Sequence, residues 1–323
     1  MIPYIDLHCD TLMQAWLQQQ DDVFSMSNSM VDVKRLQAGG CAAQFFAIFM
    51  LPIDAEKHFF VEDDAYISAL EHIFQNTLAC HSDSIAFAGN IADFNKNAAS
   101  KKISAFLTLE DGRAINGSFE KLNHFYDMGV RLISLTWNHS NCLGSPHSDD
   151  AIAMRQGLTA FGKQAILRMN ELGILIDVSH LSDGGFADVL RISTKPFVAS
   201  HSNCRALSPH SRNLTDEMLQ ALAEKGGVAG INFAPGFLSS DITITESKLT
   251  DILAQLRHMI QIGGIECAAI GTDFDGITGK LDIDSANKMP LLFEALEHAG
   301  FTADEIEHIA TKNVQRVLRD TLY

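Results

Sequence analysis

IPYIDLHCD, residues Ile2–Asp10, joins a short apolar run to the polar side chains that end it. The run Ile2–Leu7 has the length and character of a parallel strand buried on both faces. His8, Cys9 and Asp10 follow it directly. Barrels built from parallel strands carry their active sites at the carboxyl ends of those strands. The segment therefore predicts a strand that presents functional side chains.

The same pairing of an apolar run with a polar end recurs along the chain, and helical periodicity fills the intervals. The candidate strands are Ile2–Leu7, Cys41–Met50, Ile103–Leu109, Val130–Thr136, Gly173–Ser179, Pro196–Ser200, Gly227–Phe233 and Cys267–Thr272. The candidate helices are Glu62–Cys80, Ser118–Met128, Thr159–Leu172, Thr215–Lys225, Thr250–Ile262 and Thr302–Leu322.

This alternation predicts an α/β protein with a (β/α)8 TIM-type barrel, formed as a single domain by residues 1–323. A doubly wound open sheet is the alternative. It is disfavoured because neither a GxGxxG motif nor a P-loop follows any of the candidate strands.

Composition narrows the class of protein and of partner. The 323 residues are 46% hydrophobic and 20% charged, which is ordinary for a globular protein. The net charge of −16 disfavours nucleic acid, since phosphate binding requires clustered Lys and Arg. No apolar stretch has the length of a membrane span, and the N-terminus lacks the pattern of a signal peptide. We expect a cytoplasmic protein that acts without a membrane.

The six cysteines are scattered, and none forms a CxxC pair. A chain of this size does not need disulfides to stabilise its core. We therefore expect buried free thiols.

Potential metal ligands stand at the ends of several candidate strands. They are His8, Asp10, Glu110, His139, His180, His201 and Asp273. In a barrel these ends converge on one rim. Residues two apart on a strand point to the same side, so His8 and Asp10 can bind one ion while Cys9 points away. A site is a better account of this set than a chance collection of loop residues.

The donor set is a mixture of imidazole nitrogens and carboxylate oxygens. It suits Zn²⁺, and less exclusively Mn²⁺ or Co²⁺. Glu110 has two oxygens and is able to bridge two ions. Two ions about 3.5–4 Å apart could share a hydroxide and direct it at a carbonyl or phosphoryl centre.

Five motifs occur in order: DLHCDTL, LTLEDG, GILIDVSHLSD, ASHSNCR with RNLTD downstream, and IGTDFDG. Together they resemble the renal (membrane) dipeptidase family of zinc metallopeptidases, particularly its soluble bacterial members. The resemblance runs from about residue 3 to about residue 315. It implies a metal-dependent hydrolase barrel of the amidohydrolase type, a dipeptide substrate that can have a D-residue at its C-terminal position, and a homodimer.

The resemblance also implies roles for individual residues. His8 and Asp10 correspond to ligands of one zinc, and His180 and His201 to ligands of a second. Glu110 corresponds to the carboxylate that bridges them. Asp273 corresponds to the residue that handles the proton, and Arg212 to the arginine that binds the substrate's C-terminal carboxylate, a task that suits its forked guanidinium.

One position departs from the family pattern. Where mammalian members have LTH, with a histidine that contacts the substrate carbonyl, this chain reads Leu135–Thr136–Trp137–Asn138–His139. We take His139 as the equivalent, with Asn138 as the alternative.

Two other functions compete with dipeptide hydrolysis. A different binuclear barrel hydrolase would act on cyclic amides, lactones or phosphoesters, but related barrels usually open with HxH rather than the HxD of His8–Asp10. A scaffold that has lost activity would lack at least one ligand, whereas all five expected ligands are present. The sequence therefore favours a dizinc dipeptidase.

Overall fold

The computed structural model describes residues 2–51, 61–241 and 243–323. Its strands are β1 (Tyr4–Cys9), β2 (Cys41–Phe49), β3 (Ile85–Phe87), β4 (Ile103–Glu110), β5 (Val130–Ser134), β6 (Leu175–Asp177), β7 (Val198–Ala199), β8 (Val228–Ile231), β9 (Glu246–Ser247), β10 (Ala268–Ile270) and β11 (Lys280–Leu281).

The helices surround these strands. They are α1 (Thr11–Leu17), α2 (Val33–Gly39), α3 (Asp63–Cys80), α4 (Ile91–Ala99), α5 (Phe119–Met128), α6 (Ala151–Met154), α7 (Ala160–Leu172), α8 (Asp183–Ile192), α9 (Asp216–Glu224), α10 (Pro235–Leu238), α11 (Leu249–Gly263), α12 (Pro290–His298), α13 (Ala303–Glu307) and α14 (Asn313–Thr321). Short 3₁₀ segments lie at Gly112–Ile115, Ile265–Cys267 and Ala286–Lys288, and a π-helical turn, His308–Lys312, joins α13 to α14.

The main sheet closes into a parallel barrel. Its strands follow the order β2-β1-β10-β8-β7-β6-β5-β4-β3, and β2 also pairs with β4, which closes a ring of eight. The β2–β4 pairing runs in register from Ala43 beside Ser104 to Phe49 beside Glu110. The fold is thus the predicted (β/α)8 barrel, and each predicted strand contributes to the ring.

Three short strands were not predicted. β3 pairs with the start of β4 outside the ring, while β9 and β11 form a separate two-stranded sheet. Each has only two or three residues, too few to give a periodic signal.

Local sequence sets the bounds of the predicted helices. Thr159 caps α7 by accepting a hydrogen bond from the Gly162 N–H at 2.8 Å. The helix ends at Gly173, whose φ of 73° is a left-handed conformation that glycine adopts without steric cost. The chain then turns directly into β6, the next strand of the barrel.

Two apolar clusters stabilise the barrel. The larger fills the layer between the strands and the surrounding helices. The smaller joins strand residues such as Ile5 and Leu7 to Val314 and Leu318 of α14. Within it the rings of Phe45 and Phe106 stack with centroids 4.5 Å apart.

All six cysteines are free, as expected. Burial was expected for all of them but holds for only four, because Cys80 is exposed and Cys142 is half-buried. Both stand at points that the apolar clusters do not enclose: Cys80 ends α3, and Cys142 lies in the connection after β5.

Candidate metal centre

Six polar side chains converge at the carboxyl ends of the barrel strands. We call them the rim cluster: His8, Asp10, Glu110, His180, His201 and Asp273. His8 lies in β1 and Glu110 ends β4, while the others follow β1, β6, β7 and β10. The barrel thus brings together residues that are up to 265 positions apart in the sequence.

Glu110 lies at the centre of the rim cluster. Its Oε2 is 3.2 Å from His8 Nε2, and that nitrogen is 3.5 Å from Asp10 Oδ2. Its other oxygen, Oε1, is 3.2 Å from His180 Nε2 and 3.4 Å from His201 Nε2. The two carboxylate oxygens therefore face two separate donor sets.

Several nitrogen and oxygen atoms of the cluster that could bind a metal lack the hydrogen-bond partners that buried polar atoms normally have. Both ring nitrogens of His8 and the Oδ1 of Asp10 are buried without a hydrogen bond to any described residue. The Nε2 atoms of His180 and His201 lie only 3.1 Å apart. Unpaired buried polar atoms are costly, and a cation bound among them would satisfy them.

Spacing and chemistry agree with that interpretation. Candidate ligand atoms of His8, Glu110 and His201 all lie within 4.8 Å of one another, as do those of His8, Asp10 and Asp273. Nitrogen and carboxylate donors of this kind suit zinc. The residues present therefore fit a bound metal.

The pKa values of the cluster residues also agree with a bound metal. Burial raises the pKa of Glu110 to about 7, with His8 opposing the rise and Asp10 adding to it. Burial and the charge of Asp10 raise the pKa of Asp273 to about 6, again against the influence of His8. Burial lowers the pKa values of His180 and His201, so both imidazoles are neutral, as metal ligation requires. A cation among the carboxylates would favour their ionised forms.

Backbone strain accompanies the site. His180 and Asp273 have φ values of 67° and 63°, in the left-handed region that side chains other than glycine rarely adopt. Both residues follow a strand and carry a side chain into the rim cluster. Strain of this kind concentrates at functional sites, where the surrounding structure enforces it.

The segment after β5 places Asn138, rather than His139, beside the cluster. Asn138 Oδ1 lies 3.1 Å from His180 Nδ1 and 3.2 Å from His147 Nε2. His139 is exposed and lines a different cavity of about 360 Å³, together with Asp111.

Sequence reasoning missed two residues near the cluster. His147 lies in an irregular segment whose periodicity gives no clue to its position. Asn232 was not among the predicted site residues, yet its Nδ2 donates a hydrogen bond to Asp273 Oδ2 at 2.8 Å. Its place at the end of a predicted strand was the available signal.

Arg212 is a buried cation behind the cluster. Its Nη1 donates to Ser202 Oγ at 2.5 Å and its Nη2 to the His201 carbonyl at 3.0 Å. The Nε is buried and has no partner among the described residues. Burial lowers the Arg212 pKa to about 10, which leaves the guanidinium charged at neutral pH.

A cavity of about 480 Å³ opens onto the rim cluster. Asp10, Glu110, His180 and Asp273 form its polar side. Its other walls are largely apolar and include Met13, Phe49, Trp137, Phe237, Ile244 and Ile277. The Arg212 Cζ lies 5.9 Å from the centroid of the Phe237 ring. The cavity has room for a small molecule.

Comparison with known proteins identifies the family. A model of the membrane dipeptidase family, peptidase family M19, matches residues 1–322. The chain belongs to this family. It is a metallo-dipeptidase, and the resemblance of its five motifs is confirmed.

Similar proteins span nearly the whole fold. A solved metallopeptidase of family M19 called dipeptidase AC is 28% identical, with a TM-score of 0.89 and 99% of each chain covered. A metallopeptidase from Rhodobacter sphaeroides, solved with a phosphinate mimic of the dipeptide L-Ala-D-Ala, is 27% identical, with a TM-score of 0.88 and the same coverage. An uncharacterized dipeptidase of Schizosaccharomyces pombe is 30% identical over 91% of this chain and 72% of its own.

Despite the family's name, none of the helices in the described part of the chain has the length and apolar character to cross a membrane.

Proposed function

We propose that this dipeptidase uses two zinc ions bridged by Glu110. The proposal rests on the orientation of the Glu110 carboxylate. Its Oε2 faces His8, while its Oε1 faces His180 and His201. A carboxylate between two donor sets is the arrangement a binuclear site requires. Asp10 completes the first set. Mn²⁺ and Co²⁺ suit the same donors less exclusively.

Bound zinc would supply a nucleophile at neutral pH by acidifying water, and would polarise the scissile carbonyl. The protein's own residues then handle the proton. Asn232 fixes Oδ2 of Asp273, so that Oδ1 faces His8 at 3.8 Å. We assign Asp273 as the base that accepts the proton of the attacking water and delivers it to the leaving amine.

Asn138 takes the role for which the sequence suggested His139. Its Oδ1 can accept a hydrogen bond from His180 Nδ1, 3.1 Å away, which leaves the Nδ2 hydrogens to donate to the substrate carbonyl oxygen at the cavity wall. His139 faces a different cavity, which supports assigning the role to Asn138.

Arg212 is the proposed partner of the substrate's C-terminal carboxylate. It is a buried cation with an unpaired Nε–H close to Phe237, and a carboxylate would both neutralise its charge and complete its hydrogen bonding. The residues involved come from the whole length of the barrel, so we propose that residues 1–323 act as one catalytic domain.

The cavity suggests the substrate class. Its largely apolar walls favour uncharged side chains, and the carboxylates at its polar side disfavour acidic ones. The relative from Rhodobacter sphaeroides binds a mimic of L-Ala-D-Ala. We therefore propose that dipeptides with small uncharged side chains, including those with a C-terminal D-residue, are substrates.

A substrate panel tests this proposal. Zinc-loaded protein should hydrolyse L-Ala-L-Ala or L-Ala-D-Ala, and L-Ala-D-Glu should be slower. The C-terminal amide of the better substrate should lose about 10-fold or more in kcat/KM, since it cannot form the charged pair with Arg212. Equal rates for the acid and the amide would refute the role of Arg212. A lack of turnover for every free dipeptide would refute the substrate class.

A further inference from the structure

A buried serine connects one of the rim histidines to a buried aspartate. Ser200 Oγ lies 2.7 Å from His201 Nδ1 and 2.5 Å from Asp177 Oδ2. Ser200 and Asp177 are both fully buried. The three side chains thus form a continuous path from the metal centre into the interior of the barrel.

The carboxylate of Asp177 accepts four hydrogen bonds. Its Oδ1 accepts hydrogen bonds from the backbone N–H groups of Ser179 and Ser200, at 2.9 and 2.8 Å. Its Oδ2 lies 2.5 Å from the hydroxyls of both Ser134 and Ser200. An ionised carboxylate accepts all four hydrogen bonds and donates none. Asp177 therefore determines the direction of the hydrogen bonds around it.

The single hydroxyl hydrogen of Ser200 must then point to Asp177. The hydroxyl of Ser179 is also near, at 3.3 Å, but the carboxylate is the closer and stronger acceptor. Ser200 Oγ is left to accept a hydrogen bond from His201 Nδ1. With its proton on Nδ1, His201 presents the lone pair of Nε2 to Glu110 and His180.

We propose that Asp177 and Ser200 are positioning residues that fix the tautomer and ring orientation of His201 for metal binding. The inference rests on the metal centre proposed above. Ligand histidines commonly donate their second nitrogen to a carboxylate or carbonyl, and the loss of that partner weakens metal binding. Here a serine stands between the carboxylate and the imidazole. His180 differs, because its Nδ1 meets the neutral amide of Asn138.

Ser134 provides a matched control for Ser200. Both are buried, and both place a hydroxyl 2.5 Å from Asp177 Oδ2. Only Ser200 also contacts His201. Ser134→Ala and Ser200→Ala therefore remove similar bonds to Asp177, but only the second leaves His201 Nδ1 without its partner.

The test is zinc retention by the loaded protein during titration with a competing chelator, with thermal unfolding of the metal-free forms recorded beside it. Ser200→Ala should release one of its zinc ions at roughly 10- to 100-fold lower chelator concentration than wild type. Ser134→Ala should retain zinc within about 2-fold of wild type, and both metal-free variants should unfold at similar temperatures. Equal zinc retention by the two variants overturns the relay but leaves the metal centre standing. A wild-type protein that retains no zinc overturns both.

Zinc retention by Asp177→Asn is a second test of the proposal. The amide puts a donor where the serines now find an acceptor. This favours a Ser200 hydroxyl that donates to His201 Nδ1, and the imidazole proton then lies on Nε2, the nitrogen that would bind the metal. This variant, if it folds, should lose zinc at least as readily as Ser200→Ala. Wild-type zinc retention by Asp177→Asn contradicts the proposal. If it fails to fold, the two serine variants decide alone.

Discussion

His8 and Asp10 show how far elementary geometry reaches at the scale of the residue. Side-chain alternation predicted that they would meet and that Cys9 would not. In the structure the two lie 3.5 Å apart, whereas Cys9 is buried in the apolar core. The choice between Asn138 and His139 was beyond such reasoning, since both lie in irregular backbone after β5, where periodicity assigns no direction.

Gly276 provides a test at the same scale. A Cβ there would lie 2.0 Å from Asp10 Oδ2 and 2.7 Å from Asp273 Oδ1, distances that no side chain tolerates. We expect Gly276→Ala to displace these carboxylates and to reduce kcat/KM on a dipeptide by about 100-fold or more.

Gly236→Ala is the control for that variant. Gly236 also lines the cavity, but its Cβ would meet nothing within 4 Å. Its kcat/KM should stay within about 3-fold of wild type. Similar losses of kcat/KM in both variants would show that the positions of the Asp10 and Asp273 carboxylates beside Gly276 do not determine activity.

At the scale of the element, the ring of eight strands was predictable because buried parallel strands are nearly continuous apolar runs. The positions of the loops were not. One loop is held by Asp275, which follows β10 and has a φ of 69°. Its carboxylate accepts hydrogen bonds from Thr11 Oγ1 at 2.6 Å, Ser29 Oγ at 2.7 Å and the Met30 N–H at 2.6 Å. It therefore joins the start of α1 and the loop before α2 to the rim.

We expect Asp275→Ala to lower the free energy of unfolding by about 3 kcal/mol, because several buried donors would lose a charged acceptor at once. Urea unfolding of the metal-free protein measures this. Asp284→Ala, which removes a carboxylate paired with Lys288 at the surface, should change stability little. Equal effects of the two substitutions would show that Asp275 does not fix these loops.

At the scale of the whole molecule, we expect the rim cluster to couple metal binding to stability. In the metal-free protein the pKa values of Glu110 and Asp273 are raised to about 7 and about 6, from 4.5 and 3.8. A carboxyl whose pKa is raised on folding stabilises the protein at low pH, and that contribution is lost as the pH rises through the raised value. Zinc needs the deprotonated forms and should reverse the trend.

Glu110→Gln isolates this effect because glutamine does not titrate. Without metal, the melting temperature of wild type relative to Glu110→Gln should fall as the pH rises from about 5 to about 8. With zinc bound, the melting temperature of the wild type relative to Glu110→Gln should instead rise over the same pH range. A difference that stays constant with pH in the metal-free proteins would contradict the raised pKa.

The homodimer that the resemblance implied stays a prediction.

The central claim is that Glu110 holds two metal ions together. The most direct measurement is zinc per chain, by elemental analysis of wild type and Glu110→Gln, alongside turnover of the dipeptide substrate. Wild type should contain about two zinc ions per chain, while Glu110→Gln should lose at least one and most of its activity. A Glu110→Gln protein that keeps both ions and hydrolyses the dipeptide at the wild-type rate would contradict the claim.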